Sequence, residues 1–599
     1  MNLQNSANPS INWRTILGFW LVICAIYVAR ALFSGAAIPL VSGSDDAMRL
    51  VVVSDWLSGQ NWFDHTQYRL NTPYGANIHW SRLIDLPLAG LMLILNPFFG
   101  DNTPQVAAWI LPLLWLVPLL YFGAALSVHM AGPDAVLPGL VLPVLSAAVL
   151  VEFAPGRVDH HNVQIILTLA LLYTTIMAWK NPRWALWAGL AAATSLAIAI
   201  EAVPQIATTI AVFGLFWVAD PNKGGTMRLF GLGFAGAALV HLAIAFPPSE
   251  WLIPACDAFS TVYVAAALGV ALVFLILPLL ALSSLWARLV AGGGLGLLLL
   301  IGLFVAFPLC RGGPYAAIDP WLAENWLSQI IEAKPLWNSF VALPAYTLGI
   351  ALPPVVAFGL VIWIALKNPA IPETSSRRAE WLILGTFLMV GLVIMLVQVR
   401  GARLVAGMVA PVGAFAIIWV RGRYLKSKGI LDALALLATW LIFSGLAVAV
   451  IAGMVLPKGG DEISATASTG PSKFACMRPD VFERLATLAP ARIMAPVDLG
   501  AQLLLYTPHS VVGAPYHRNE QGLIDTFAFF NEPLEQSRSI LSERGISLVV
   551  TCPAMAEMRG FSDAPETAFV NRVKEGTLPD WLKDISLPES PLRIYQVKE

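Results

Sequence analysis

Asp159 and His161 stand two residues apart in Val158-Asp159-His160-His161-Asn162, between two apolar runs long enough to cross a membrane. A carboxylate and an imidazole at this spacing can both reach one hard cation when the backbone between them is irregular, and such groups are costly to keep at a membrane face without use. The pattern points to a metal site at a bilayer surface. Three other groupings carry compatible chemistry: Ser44-Asp45-Asp46-Ala47-Met48-Arg49, Gln329-Ile330-Ile331-Glu332, and Arg400 with Arg403. Asp46, Asp159 and Glu332 with His161 form an oxygen-rich set that suits Mg²⁺ or Mn²⁺ better than Zn²⁺. Arg49, Arg157, Arg400 and Arg403 offer the fork geometry that binds phosphate oxygens bidentately. Taken singly, each grouping also has a plainer reading: Asp45-Asp46 as a helix cap, Asp159-His160-His161 as a polar turn, Glu332 as a solvated loop acid and Arg403 as a snorkelling cation.

Composition decides what must position these residues. The chain has 599 residues, 57% of them apolar and 12% charged, with a mean hydropathy of +0.71, so it is expected to be a polytopic membrane protein. Apolar runs near 12-35, 104-128, 134-152, 162-179, 184-200, 203-219, 226-246, 259-281, 288-308, 347-366, 380-398, 404-420 and 430-455 give about thirteen crossings on a length criterion. The run at 83-99, broken by Asp85, Pro87 and Pro97, reads as an interfacial helix. With the N-terminus inside, the inner loops collect Lys180 and Arg183, Lys223 and Arg228, Arg288, Lys367 with Arg377 and Arg378, and Arg421 through Lys428. All four chemical groupings then fall on the outer face. The first apolar run lacks a small-residue cleavage pattern and is expected to remain as an anchor. The net charge of -1 gives no reason to expect a nucleic-acid partner.

The chain changes character at Pro457. A Gly/Ser/Thr/Ala linker, Gly459 to Ser472, leads into alternating short strands and polar helices, so the expected division is a transmembrane domain at 1-456 and an outer α/β domain at 457-599. Four of the five cysteines lie outside in this topology, which allows the disulfides Cys476-Cys552 and Cys256-Cys310.

In its order of motifs the chain resembles the catalytic subunits of archaeal and bacterial oligosaccharyltransferases, GT-C glycosyltransferases that use lipid-linked sugar donors. The likeness rests on the first-loop Asp46-Ala47-Met48-Arg49, the second-loop Asp159-x-His161, the loop motif ending in Glu332, Arg403-Leu404 before a late span, and the outer C-terminal domain. The stretch from Asn61-Trp62-Phe63-Asp64 through Tyr74-Gly75 to His79-Trp80 is also similar to that family's first loop. The resemblance implies that Asp46, with Asp45 as the competing choice, and Glu332 act on the acceptor. It further implies that Asp46, Asp159, His161 and Glu332 hold Mg²⁺ or Mn²⁺, and that Arg403, with Arg400, binds the polyprenyl (di)phosphate of the donor. The family's Trp-Trp-Asp-Tyr-Gly acceptor string has only Pro496-Val497-Asp498-Leu499-Gly500 as its counterpart, without either Trp. Asp498 and the nearby Tyr516-His517-Arg518 are the pocket candidates, and the acceptor is expected to be a lipid or glycan rather than a protein sequon.

The expected activity is metal-dependent glycosyl transfer at the periplasmic face of a bacterial inner membrane, with protein N-glycosylation as the alternative. A lipid-linked sugar transporter is the rival from another class; it would be expected to place polar sites near the midplane, where Glu201 is the main candidate. Transfer of a phosphoethanolamine-like group would need a nucleophilic Ser or Thr beside several zinc ligands, a set not found here.

Overall fold

The protein was analysed as a computed structural model that describes residues 11–33, 41, 43–367, 377–456 and 473–598. The Gly459–Ser472 linker lies outside the described residues. Among those described, nine helices are long and apolar enough to cross a membrane, and three helix pairs bent by more than 40° bring the number to twelve if each pair is one span. Helices are the expected form of such runs, because within hydrocarbon every backbone N–H and C=O must be satisfied inside the segment. Of the thirteen expected crossings, the one outside this length criterion is 184-200. That run is the helix Arg183–Ile198, whose 16 residues reach about 24 Å, short of a hydrocarbon core of about 30 Å. It packs against Gly224–Ala245 so closely that a Cβ on Gly189 would lie 2.5 Å from the Phe234 nitrogen. The run at 83-99 forms the helix Arg82–Phe99, joined by the turn Gly100–Asn102 to the long helix Thr103–Ala131.

The breaks in the bent pairs have local causes. Ile430–Phe443 and Gly445–Val455 meet at 94°, where the Ser444 hydroxyl accepts from the Ala447 N–H at 3.2 Å and caps the second helix. The pair Val399–Ala406 and Val409–Ser427 bends by 56°, and its first limb carries Arg400 and Arg403.

Beyond Lys473 the chain forms a five-stranded sheet in the order Ser510–Val511, Arg492–Met494, Leu548–Thr551, Arg593–Val597, Leu582–Asp584. The first three strands are parallel and the last two pairings antiparallel. Cys476 pairs with Cys552 and Cys256 with Cys310, as the sequence allowed. This segment docks on the bundle through shared core and backbone. Its Leu503 and Leu504 belong to the same buried cluster as Met48, Val51 and Leu88. At the sheet edge, Val511 N–H donates to the Arg69 carbonyl at 2.8 Å and Thr72 N–H to the Val511 carbonyl at 3.1 Å.

Candidate active site

Four pieces of chain meet where the bundle faces the C-terminal segment. The helix Ser44–Leu57 brings Asp45, Asp46 and Arg49, the turn ahead of His161–Ala178 brings Arg157, Asp159 and His160, the turn Ile200–Ala202 brings Glu201, and Val399–Gly401 with Ala402–Ala406 brings Arg400 and Arg403.

Asp46 is fully buried and organises the turn beside it. One of its oxygens accepts from the backbone N–H of Val158 at 2.8 Å and of Asp159 at 2.9 Å, and the other meets Arg157 Nη1 at 2.7 Å. Glycine at 43 is required here: a Cβ would overlap Asp46 Oδ2 and lie 2.8 Å from Arg157 Nη1. Arg157 also reaches Glu152 at 2.8 Å; these carboxylates outweigh burial and raise its pKa. Burial raises the Asp46 carboxyl, with Arg157 opposing.

Asp159, 3% exposed, faces His160 Nδ1 at 2.7 Å, His161 Nε2 at 3.3 Å and Arg49 Nη2 at 3.3 Å. Burial alone would raise its pKa, but the two imidazoles and then Arg49 hold it well below the usual carboxylate range. Arg49 in turn meets Asp85 at 2.9 Å and stacks over Trp80 at 4.5 Å. His161 Nδ1 meets Glu201 at 3.1 Å, while its Nε2 lies 3.1 Å from Arg403 Nη1. Arg403 also pairs at 2.7 Å with both Glu152 and Glu332.

A cavity of about 1040 Å³ opens on this network. Asp45, His160, His161, Glu201 and Glu332 line it, and so do Arg400 and Arg403. Tyr516, His517 and Arg518 close it from the C-terminal segment, with the Tyr516 hydroxyl donating to the Ser44 carbonyl at 2.9 Å. Asp45 is therefore the first-loop acid that meets the cavity. Burial, then Asp159 and Asp46, push its carboxyl up to about 7.

Of the four residues expected around one ion, Asp159 and His161 stand together, Asp46 accepts from Arg157 and two backbone N–H groups, and Glu332 accepts from Arg403. The ligand atoms that do gather within 4.8 Å are those of Asp159, His160 and His161. Arg49 and Arg157 are absent from the cavity lining, and so is Asp498, which pairs with Lys473 at 2.5 Å. Arg400 lines the cavity and donates to Gln398 at 2.9 Å. Glu152 and Asp85 are participants that sequence reasoning missed, and His160, noted only as part of its string, joins Asp159 directly. The only signal for Glu152 and Asp85 was a charge inside or at the end of an apolar run.

No protein-family model matches the chain, and no curated protein matches it in sequence. Solved structures do match. The archaeal oligosaccharyltransferase AglB from Archaeoglobus fulgidus, in complex with an inhibitory peptide and a dolichol-phosphate, aligns with a TM-score of 0.67 and 14% identity over 98% of this chain and 74% of that one. The Archaeoglobus fulgidus enzyme tethered to an acceptor peptide containing the NVT sequon gives 0.65 and 13% over the same shares, 98% and 74%. The arabinofuranosyltransferase AftD from Mycobacteria gives 0.50 and 16% over 99% of this chain and 42% of that one. The chain has the oligosaccharyltransferase-like fold of the GT-C glycosyltransferases.

Proposed function

We propose that this chain is a membrane glycosyltransferase that moves a sugar or oligosaccharide from a polyprenyl-(di)phosphate donor to an envelope lipid or glycan, at the outer, periplasmic face of a bacterial inner membrane. The observation that carries this reading is one cavity of about 1040 Å³ whose lining includes Asp45, His160, His161 and Glu201 together with Arg400 and Arg403. Acids and imidazoles there share a cavity with a pair of guanidiniums, as a reaction needs when a sugar leaves a phosphate.

Asp159, His160 and His161 fit a divalent cation: one carboxylate and two imidazoles converge, and Glu201 holds Nδ1 of His161 so that Nε2 faces the group. Two nitrogens among three donors suit Mn²⁺ or Zn²⁺ better than Mg²⁺, and the Archaeoglobus enzyme was crystallised with Zn and sulfate. A bound divalent ion supplies positive charge for the oxygen that gains charge as the glycosidic bond breaks. Arg400 binds the donor phosphate, and Arg403 faces the same oxygens while Glu152 and Glu332 fix its plane. Asp45 accepts the proton of the acceptor hydroxyl, since it is the first-loop acid that reaches the cavity.

The acceptor reading rests on the C-terminal segment. Asp498, in the counterpart of the sequon-binding string, lies off the cavity lining and pairs with Lys473, whereas Tyr516, His517 and Arg518 line it. A transporter reading loses its main support because Glu201 belongs to this same cavity. The test is transfer from a polyprenyl-linked donor extract to envelope lipid, glycan and a fluorescent Asn-x-Thr peptide by the purified chain. Product on lipid or glycan that disappears in Asp45→Asn and Arg400→Ala supports the reading; product on the peptide alone overturns the acceptor class, and no product overturns the activity.

A further inference from the structure

A second polar cluster lines the same cavity; its His517 and Arg518 border the proposed acceptor side, and none of its residues is assigned to bond breaking or to the donor phosphate above. His79 comes from the loop ahead of the helix Arg82–Phe99, Asp257 follows Cys256 of the Cys256–Cys310 disulfide, and His517 belongs to the C-terminal segment. One ligand atom from each lies within 4.8 Å of the others. His517 Nε2 stands 2.7 Å from Asp257 Oδ2. Arg518 forks onto the same carboxylate at 2.7 Å and 2.9 Å, and its remaining nitrogen reaches Asn77 at 2.6 Å. The rings of His79 and His517 meet at 4.8 Å, with Tyr315 packed edge-on against His517 at 5.2 Å.

An ion pair between Asp257 and Arg518 would suffice to fasten the C-terminal segment to the bundle. It does not account for two imidazoles converging on the same carboxylate.

We propose that His79, Asp257 and His517 form a zinc site, separate from the group at Asp159, that ties the first outer segment, the disulfide loop and the C-terminal segment together. Two nitrogen donors and one carboxylate make a zinc ligand set with a fourth position left toward the cavity for water or a ligand oxygen. Arg518 does not block it. A carboxylate has about four acceptor positions, of which the Arg fork uses two, so the metal replaces the His517–Asp257 hydrogen bond while Arg518 remains as the outer partner that orients the carboxylate. The proton of His517 then sits on Nδ1 and leaves the Nε2 lone pair for the metal. Bonds of about 2.0–2.1 Å in tetrahedral array place the ligand atoms about 3.3 Å from one another, so His517 Nε2 and Asp257 move apart slightly while more distant ligand atoms draw in, a side-chain adjustment.

The proposal stands independently of the transferase reading and is tested without donor or acceptor. The full chain in detergent, stripped with a chelator, is titrated with Zn²⁺ and, for its visible spectrum, with Co²⁺. The expected result is a zinc equivalent that survives Asp159→Asn/His161→Ala and that His79→Gln or His517→Gln weakens by about a hundredfold, the effect of losing one of three protein ligands. His79→Gln leaves the Asp257–Arg518 pair in place, so it carries the test even if His517→Gln fails to fold. Zinc uptake and a cobalt spectrum unchanged by His79→Gln overturn the proposal, as does a chain that binds no zinc once Asp159 and His161 are replaced.

Discussion

The backbone N–H of Asp159 donates to the Asp46 carboxylate at 2.9 Å, so the turn that presents one acid is built on the other. Val158 and Arg157 converge on the same carboxylate from the same turn. The position of Asp159 thus depends on Asp46, and loss of activity in an Asp46 variant does not by itself make Asp46 a metal ligand.

Arg157 is the cation of this arrangement, held between two buried acids, Asp46 and Glu152. Arg157→Ala leaves both without it, and breaking a buried pair by removing one partner costs about 3–5 kcal/mol. The expected outcome is a clear fall in melting temperature with loss of metal binding. Unaltered melting would show that water screens the pair.

Arg400 and Arg403 differ in the partners they already have. Among the described residues no carboxylate pairs with Arg400, whereas Arg403 is balanced by Glu152 and Glu332. Arg400→Ala is expected to lower kcat/KM by about 30- to 1000-fold, corresponding to about 2–4 kcal/mol for a lost charged contact to phosphate, with little change in melting. Arg403→Ala is expected to lower both. If both variants turn over normally, neither arginine binds the donor phosphate.

Glu201 orients His161 through Nδ1 at 3.1 Å. Replacing the outer partner of a metal-binding imidazole costs roughly 10- to 100-fold in metal affinity. Glu201→Ala should therefore weaken Mn²⁺ binding by that factor, and Glu201→Gln, which still offers an oxygen to Nδ1–H, should recover most of it. Affinities equal to wild type in both variants, measured by Mn²⁺ titration without substrate, would remove Glu201 from the site.

Much of this site was legible because its residues break apolar context. Asp159 and His161 stand out between two apolar runs, and Asp45, Glu332, Arg400 and Arg403, grouped with them from the sequence, line the same cavity as His161. What the sequence concealed was partner choice. Four arginines on one face looked equivalent as phosphate ligands, yet Arg49, buried, and Arg157, partly buried, are paired with Asp85, Asp159, Asp46 and Glu152, contacts set by tertiary packing over separations such as 111 residues. Apolar length matched most of the long helices, and at 184-200 a run continuous in hydropathy includes 16 helical residues before the Ile200–Ala202 turn that delivers Glu201. Asp498 was singled out for its place in a string; in the structure it pairs with Lys473 and its charge acts on a neighbouring buried carboxylate.

That carboxylate is Glu557, in the turn Ala556–Arg559. It is 6% exposed; Oε1 accepts from the Val497 N–H at 2.8 Å, while Oε2 is buried without a hydrogen-bond partner among the described residues. Burial first, then the charge of Asp498, push its carboxyl from 4.5 up to about 7. The folded chain thus holds this proton more tightly than the unfolded one, so the associated stability is fully present below pH 4.5 and is lost as pH rises through about 7. At 1.36 kcal/mol per pKa unit the whole loss is of the order of 3 kcal/mol. Glu557→Gln retains an oxygen for Val497 and cannot ionise. Its melting temperature should exceed that of wild type above pH 7, with the advantage shrinking steadily as pH is lowered toward 4.5. A difference that is constant across this range, or that grows toward acid, would mean that Glu557 is already protonated throughout or that its charge is paired in the folded chain.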